Sequence, residues 1–239
     1  MTRSLLRLPL ALGLFVLSLS AVAVGQDKSV KPGINDAFKN PDVKGYEGKF
    51  EVESREVYTQ REKIVAACAV KPGMVVADVG AGTGLFTRLF AKEVGEKGKV
   101  IAVDISDKFL DHIAKTCKDA KITNVETLKC SDTSSELPAN SVDLVYICDT
   151  YHHFEYPYRS MASIHKALKP SGRLVLIDFH RVKGESSDFV MGHVRAGQEV
   201  FVKEVEDAGF KQVREEKDVL KENYFVVFEK VGQAEKREK

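Results

Sequence analysis

The chain has 239 residues, of which 44% are hydrophobic and 30% are charged. This length allows one α/β domain with a full hydrophobic core, and the composition is that of an ordinary globular protein. The 36 basic and 35 acidic residues give a formal net charge of +1, so the charge balance gives no reason to expect a nucleic-acid partner.

The first residues have the pattern of a secretory signal peptide. Arg3 and Arg7 precede an uncharged run over residues 8–24, and the AVA sequence at 21–23 matches a small-residue cleavage site. The run is also long enough for an uncleaved anchor. We therefore predict a signal peptide or N-terminal anchor over residues 1–25. The protein would then be exported or anchored, membrane contact would come only through this leader, and a cytoplasmic location would require a misassigned start.

Residues 26–53 are polar and are interrupted by proline and glycine. They are predicted as a linker or irregular segment, with at most one short helix near 34–39 and an extended or irregular stretch over 46–53. From Ser54 to Val70 the apolar residues recur at helical spacing, and a Lys-Pro-Gly sequence then predicts the end of that helix.

A glycine-rich turn follows the first predicted strand. The apolar run at 75–77 leads into Asp78, glycines stand at Gly80, Gly82 and Gly84, and a helical pattern opens at Leu85. Glycine permits positive φ and close approach of a ligand to the backbone, and the helix start adds unpaired N–H groups. The spacing is D-x-G-x-G-x-G, which differs from the G-x-G-x-x-G fingerprint of dinucleotide-binding proteins.

Acidic residues end the next two strands. Lys99–Asp104 is the second strand, and the carboxylate of Asp104 at its tip suits the two hydroxyls of a ribose. Enzymes that bind NAD use the same device, so Asp104 indicates a nucleoside without choosing the cofactor. The third strand, over residues 125–130, leads into Ser131 and Asp132.

Two adjacent histidines follow the fourth strand, Val142–Cys148. In doubly wound sheets ligands bind outside such strand ends, and a histidine suits general-base work near neutral pH. His153 is therefore the first candidate catalytic residue, followed by His152 and Asp149. No metal site is predicted, because no third ligand stands at a diagnostic spacing from the pair.

The rest of the chain alternates as an α/β protein does. Cys68, Cys117, Cys130 and Cys148 stand singly, which indicates free thiols rather than a zinc site or a disulfide scaffold. The remaining predicted elements are a helix over 158–168, a strand over 173–179, a polar mobile stretch over 182–188, a helix over 198–208, strands over 210–216 and 223–231, and a charged tail over 232–239.

Five segments in the right order resemble the motifs of class I S-adenosylmethionine (SAM)-dependent methyltransferases. They are VADVGAGTG (76–84), VIAVD (100–104), CSD (130–132), LPANSVDLV (137–145) and KPSGRLVLID (169–178). The resemblance implies a single α/β domain over residues 54–231. Its fold would be a doubly wound, Rossmann-like, mostly parallel sheet of seven strands in the order 3-2-1-4-5-7-6, with strand 7 antiparallel.

The resemblance also implies SAM as the cofactor and in-line displacement of its methyl group onto an acceptor. Asp132 would lie at the adenine edge, and Asp178 and His180 are candidates for the substrate side. Tyr58 and Arg61 are candidates for facing the site, although a solvated helix face is the simpler explanation for both. The implied cofactor-binding residues are Asp78, Gly80, Ala81, Gly82, Thr83, Gly84, Asp104, Ile105, Ser131, Asp132 and Asp149.

Three alternatives remain open at this point. One is an NAD-dependent oxidoreductase, against which the glycine spacing and the terminal strand pair argue. Another is a SAM-binding envelope protein without catalysis. The third is a methyltransferase that acts on protein side chains. The lack of a large extra domain argues mildly against it and favours a small-molecule acceptor. The sequence identifies neither the acceptor nor the oligomeric state.

Overall fold

The computed structural model describes residues 26–231. The predicted leader (1–25) and charged tail (232–239) lie outside the described residues. Within the described part, none of the helices combines the length and the apolar character needed to cross a bilayer.

The described residues form one sheet of seven strands in the order β3-β2-β1-β4-β5-β7-β6. The strand β7 runs antiparallel to both of its neighbours, and the other pairings are parallel. The predicted fold class is therefore confirmed. The strands are β1 (Val75–Val79), β2 (Lys99–Asp104), β3 (Val125–Lys129), β4 (Val142–Cys148), β5 (Leu168–Phe179), β6 (Phe210–Glu215) and β7 (Asn223–Lys230).

Helices cover both faces of this sheet. Leu144 and Tyr146 of β4 pack in one core with Ile64 and Phe90, whereas Val145 packs in the other core, as the alternation of side chains along a strand requires. The helices are α1 (Asp36–Lys39), α2 (Val43–Phe50), α3 (Glu56–Thr59), α4 (Arg61–Ala67), α5 (Leu85–Val94), α6 (Asp107–Asp119), α7 (Pro157–Ala167), α8 (Asp188–His193) and α9 (Gln198–Asp207), with a 3₁₀ turn at Tyr151–His153.

The sheet register places the ends of the central strands at one level. Val79 of β1 pairs with Val103 of β2 on one side and with Ile147 of β4 on the other. The residues that follow these three strands therefore leave the sheet along the same edge. The chain order reverses between β1 and β4, which is the point where open α/β sheets bind ligands.

The segment before the sheet differs from its prediction. The short helix predicted near 34–39 is confirmed as α1, but residues 26–53 are not a linker, because this segment packs on the domain. Residues 46–50 belong to α2 and are not extended, whereas residues 51–53 are irregular as predicted. Tyr46 and Phe50 stand one helical turn apart with ring centroids 5.1 Å apart, and Phe38 lies 5.3 Å from Tyr46. This aromatic stripe is short and surrounded by polar residues, so the polar composition of the segment did not indicate a helix that packs on the domain.

Two other local predictions also need correction. The single helix predicted over 54–70 is divided into α3 and α4 at Gln60, whose φ of −96° and ψ of 9° are not helical. The polar stretch after β5 leads into α8, which the sequence did not predict. The Ser187 side chain caps α8 by accepting a hydrogen bond from the N–H of Val190.

Candidate functional site

A cavity of about 530 Å³ lies at the carboxyl ends of β1, β2 and β4. Its size is within the range of sites for small molecules and cofactors. The glycine-rich loop after β1 forms its floor, and the aromatic residues Phe38, Tyr46 and Phe50 of the N-terminal segment line the opposite side. The segment that was predicted as a linker therefore builds part of the site.

The glycine-rich loop requires glycine for two separate reasons. Gly80, Gly82 and Gly84 have φ values of +77°, +54° and +80°, a region that side chains disfavour. A Cβ on Gly80 would also lie 2.1 Å from the side chain of Thr150, which no small shift relieves. At Gly82 a Cβ would meet the ring of Phe50 at 3.5 Å, so bare backbone faces the aromatic cover there.

Asp104 ties this loop to the tip of β2. One carboxylate oxygen accepts a hydrogen bond from the N–H of Gly82 and the other from the N–H of Ser106, each at 2.9 Å. Burial raises the pKa of Asp104, and these backbone donors oppose the shift. Each oxygen retains a second lone pair, so the carboxylate can still accept from two hydroxyl groups of a ligand.

Asp78 is a buried carboxyl group at the base of the cavity. It is 4% exposed and accepts a hydrogen bond of 2.6 Å from the hydroxyl of Thr87. Burial raises the pKa of Asp78 to about 7, against the lowering effect of that hydrogen bond. Within residues 26–231, no Lys or Arg forms an ion pair with it, so a cationic group of a ligand would favour its ionised form.

The structure brings most of the predicted cofactor-binding residues to this cavity, although contact with a cofactor stays a prediction for each. Gly84 is the exception, since it does not line the cavity and instead begins α5 with its backbone against Ile113. The predicted residues that line the cavity are Asp78, Gly80, Ala81, Gly82, Thr83, Asp104, Ile105, Ser131, Asp132 and Asp149.

Glu51 fastens the N-terminal segment to the glycine-rich loop. Its carboxylate accepts a hydrogen bond of 2.7 Å from the hydroxyl of Thr83 and two of 2.9 Å from the guanidinium of Arg88. The ring of Phe50 next to it is the group that covers Gly82. We name residues 43–55 the lid segment, because they close the cavity over the loop.

Asp149 fastens the lid segment at its last residue, Arg55. One of its carboxylate oxygens pairs with the guanidinium of Arg55, and the other accepts a hydrogen bond from the amide of Asn223. Burial raises the pKa of Asp149, and the charge of Arg55 opposes that rise. Both carboxylate oxygens of Asp149 therefore already have partners. These contacts suit a role in holding the lid segment better than the catalytic role predicted for Asp149.

His152 is held in one orientation by Asp178. Its Nδ1 lies 2.7 Å from Oδ1 of Asp178, and its backbone N–H donates to Oδ2 of the same carboxylate at 3.1 Å. Asp178 is fully buried and does not itself line the cavity, and His180 packs its ring on Tyr224 outside the cavity. Asp178 therefore reaches the site only through His152, and the substrate-side prediction for His180 is not met.

His153 is a poor candidate for a base at neutral pH. Burial first, and then the charges of His152 and His193, together lower its pKa to about 2, whereas an efficient base has a pKa near the working pH. Its Nε2 lies 3.2 Å from Nε2 of His193 at the end of α8. The sequence did not point to His193, because a short helix after β5 brings it back to the site.

Tyr58 and Arg61 do not line the cavity. The guanidinium of Arg61 lies over the ring of Tyr58, 4.3 Å from its centroid, and donates to the carbonyl oxygen of Tyr58. The simpler explanation, a pair on the helix surface, is the one the structure supports. The residue of this region that reaches the cavity is Arg55.

Comparison with known proteins gives results that agree with one another. The profile of the family described as "Methyltransferase domain" matches residues 77–176. A solved SAM-dependent methyltransferase from Aquifex aeolicus is 28% identical with a TM-score of 0.69, and the match covers 79% of this chain and 98% of that one. The chain belongs to the class I SAM-dependent methyltransferase family.

The curated relatives of this methyltransferase-family chain are matched over part of their length. The ubiquinone/menaquinone biosynthesis C-methyltransferase UbiE of Bordetella parapertussis is 31% identical over 118 residues, which are 49% of this chain and 45% of that protein. The protein of the same name from Shewanella piezotolerans is 31% identical over 120 residues, covering 50% and 48%. The chain thus spans about half the length of the curated relatives it matches.

Similarity of fold alone does not fix the reaction of a methyltransferase-family protein. The [4+2]-cyclase SpnF has a TM-score of 0.63 to this chain, over 73% of this chain and 82% of that one, at 15% identity. That likeness shows the shared fold and no more. The activity of this chain must therefore be argued from its own cavity.

The cavity fits SAM, the cofactor that the family and the Aquifex aeolicus structure imply. The buried carboxyl of Asp78 has no cationic partner among the described residues and suits the ammonium group of SAM. Asp104 has free lone pairs for two hydroxyls, and Gly82 presents bare backbone to the cavity. Asp132 and Ser131 lie on the side of β3, where the adenine would lie.

Proposed function

We propose that this protein transfers the methyl group of SAM to a small aromatic acceptor. The observation that carries the proposal is a single cavity with two different ends. The end at the glycine-rich loop and Asp104 has the hydrogen-bonding groups of a nucleoside site. The other end, which we call the aromatic end, is lined by four aromatic rings and three histidines. They are Phe38, Phe154, Phe179, Phe189, His152, His153 and His193.

The covering of the cavity favours a small molecule over a protein side chain. The C-terminal part of the lid segment is fastened twice, by Glu51 to the glycine-rich loop and by Arg55 to Asp149. The ring of Phe38 packs edge-on against His153 at 4.8 Å and narrows the aromatic end. Phe189 is 64% exposed beside that end and offers a flat apolar surface to an entering planar molecule.

The chemistry requires little from the protein beyond positioning. When bound, SAM supplies a methyl group on a positively charged sulfur that already leaves easily. Transfer would join the acceptor atom to that methyl carbon, leave the electron pair of the broken carbon–sulfur bond on the sulfur of S-adenosylhomocysteine, and release the acceptor's proton to water. The protein's contribution is to hold the acceptor in line and to exclude water, which the aromatic rings and the lid segment are placed to do.

The relatives give weak support for a phenolic acceptor. The UbiE proteins are named as C-methyltransferases of ubiquinone and menaquinone biosynthesis, and quinone precursors are planar hydroxylated rings. The aromatic end of this cavity is suited to such a ring by stacking and edge contacts. Because those relatives are matched over about half their length, we propose only the class, a hydroxylated aromatic ring, and leave the methylated atom open.

The test is the formation of S-adenosylhomocysteine with a panel of acceptors, measured by mass spectrometry. The panel contains phenols, catechols and hydroquinones, with aliphatic amines and unfolded peptides as comparison classes. We expect turnover and a methylated product from at least one hydroxylated ring. Tight SAM binding without product from any acceptor would favour the non-catalytic alternative, and binding of a nicotinamide cofactor instead of SAM would favour an oxidoreductase.

We also propose that the chain is exported or anchored, on the pattern of charged, apolar and small residues in its first 25 positions. Mass spectrometry of the protein from its native host tests this directly. A mature N-terminus close after residue 23 would support a cleaved leader, and an intact leader in the membrane fraction would support an anchor. An intact chain in the cytosol would contradict both.

A further inference from the structure

Three histidines meet at the aromatic end of the cavity. His152 and His153 belong to the 3₁₀ turn after β4, and His193 ends α8. A ligand atom from each ring lies within 4.8 Å of the other two. His152 is buried and the other two are partly buried, so the group has one side against the protein and one toward the cavity.

A hydrogen bond leaves one nitrogen of His152 free, and the nitrogens of His153 and His193 are selected by their proximity to each other. Asp178 occupies Nδ1 of His152 at 2.7 Å, which leaves Nε2 of that ring free. Nε2 of His153 and Nε2 of His193 already face each other at 3.2 Å. For tetrahedral zinc with Zn–N bonds of about 2.0–2.1 Å, two ligand nitrogens would stand roughly 3.3–3.4 Å apart, so this pair has the spacing of one edge of such a site.

Asp178 adds a feature that is common in metal sites built from histidines. Histidines that bind metals commonly donate their second ring N–H to a carboxylate, which fixes the ring and increases its donor strength. Asp178 is fully buried and makes this contact with His152. An N–H to N hydrogen bond between His153 and His193 would explain that pair, but it gives no reason for the third ring that Asp178 holds beside it.

We propose that Nε2 of His152, His153 and His193 binds one divalent ion of the zinc class at the aromatic end of the cavity. Three neutral imidazoles are a donor set that zinc accepts in sites with an open fourth position. The positive charge of Lys31 lies nearby, but its ammonium is held by the main-chain carbonyl of His193 at 2.7 Å. The fully buried carboxylate of Asp178, 2.7 Å from Nδ1 of His152, favours a cation at the cluster.

The open position would face the space where the acceptor lies. This use of the metal rests on the proposed function, whereas metal binding itself does not. A hydroxyl oxygen of the acceptor bound to the ion would release its proton to solvent more readily. The acceptor ring would then be more nucleophilic when its oxygen or carbon bonds to the methyl carbon and the carbon–sulfur bond breaks.

The experiment measures zinc binding to the full chain without a histidine tag, by competition with a chromophoric chelator. We expect one zinc per chain. His193→Ala should weaken zinc binding at least tenfold, because it removes one of three ligands. His180→Ala is the matched control, since it removes a histidine that lies outside the cavity, and it should bind zinc as the unaltered chain does.

Two further measurements keep the test decisive. Circular dichroism establishes that His193→Ala is folded, and His193→Gln replaces it if it is not. Cobalt(II) in place of zinc should give the strong visible absorption of a tetrahedral site, which the His193 variant should lose. Less than half an equivalent of bound zinc, or equal binding by the His193 and His180 variants, would overturn the proposal.

The two proposals fail in different ways. Methyl transfer that survives complete removal of metal by a chelator, in a chain that does not bind zinc, would end the metal proposal and leave the methyltransferase intact. Zinc binding that depends on His193, without turnover of any acceptor, would support the metal site and remove the proposed function.

Discussion

The guanidinium of Arg55 lies on the carboxylate of Asp149, and this contact joins the lid segment to the tip of β4. Asp149 is 5% exposed, is held in a positive φ of +47°, and is also bonded by Asn223. A strained, buried carboxylate of this kind persists only where the surroundings hold it firmly. The contact therefore makes closure of the cavity part of the folded structure.

Arg55→Ala should destabilise the protein by about 2–3 kcal/mol, because it leaves Asp149 buried without its cation. It should also speed dissociation of SAM, since the lid segment loses its ion pair with the residue that follows β4. Urea denaturation and stopped-flow measurement of SAM release check the two effects. Arg61→Ala is the control, and it should cost less than about 1 kcal/mol because the Arg61 guanidinium lies over the ring of Tyr58 and has no ion pair among residues 26–231. Equal effects of the two changes would contradict the assignment.

Asp78 should make SAM binding depend on pH. Burial raises the pKa of Asp78 to about 7 in the free protein, and the ammonium of SAM favours the ionised form. SAM affinity should therefore rise from pH 5.5 until the pH exceeds about 7 and then level off, as measured by calorimetry. In Asp78→Asn this rise should disappear and affinity should be low throughout.

The same carboxyl should lower the stability of the free protein as pH rises. Folding raises its pKa from an ordinary value of 3.8 to about 7. Between pH 3.8 and about 7, the folded state therefore keeps a proton on Asp78 that the unfolded state has lost. Linkage then requires that the contribution of Asp78 to stability falls across this window and stays low above it. Asp78→Asn should be more stable than the unaltered chain at pH 8 while it binds SAM less well. A variant less stable at pH 8 would contradict this expectation.

Asp104→Ala should weaken SAM binding by about 1.5–3 kcal/mol, the range for a hydrogen bond to a charged group. Asp107→Ala is the matched control on the same segment, because the carboxylate of Asp107 is 67% exposed and pairs with Lys129 at the surface. The control should change SAM affinity by less than about 0.5 kcal/mol. Unchanged affinity in Asp104→Ala would remove this residue from the site.

Gly80→Ala should destabilise the fold far more than Gly184→Ala. Both glycines have positive φ, +77° and +87°, so both substitutions carry about 1 kcal/mol of backbone strain. A Cβ on Gly80 would also collide with Thr150, whereas nothing lies within 4 Å of one on Gly184. Thermal unfolding of the two variants separates the cost of backbone strain, which both share, from the cost of the collision with Thr150, which only Gly80→Ala has. Similar melting temperatures would show that the loop can move away from Thr150.

The strand framework and the carboxylates at its edge were predictable because each depends on local sequence. The apolar runs at β1, β2 and β4 are typical of buried parallel strands, and such strands place the residues after them at one edge. Asp78 and Asp104 could therefore be assigned to a common cavity from the sequence alone. The order of the strands came from the resemblance rather than from the pattern.

The contacts that cross the chain were not predictable in the same way. The lid segment depends on a few aromatic residues and on the pairing of Arg55 with Asp149, which are 94 positions apart. The histidine cluster depends on α8, a helix of 6 residues, which is too short for a periodic signal. Both features exist because distant elements pack together, and the low basicity of His153 follows from that packing as well.

The most direct test of the proposed cofactor site is a crystal structure of the protein with S-adenosylhomocysteine bound. We expect the ribose hydroxyls on Asp104, the ammonium near Asp78, the adenine beside Asp132, and the sulfur directed toward the aromatic end of the cavity. A ligand bound elsewhere, or its absence from this cavity at saturating concentration, would contradict the central claim that this cavity is the cofactor site.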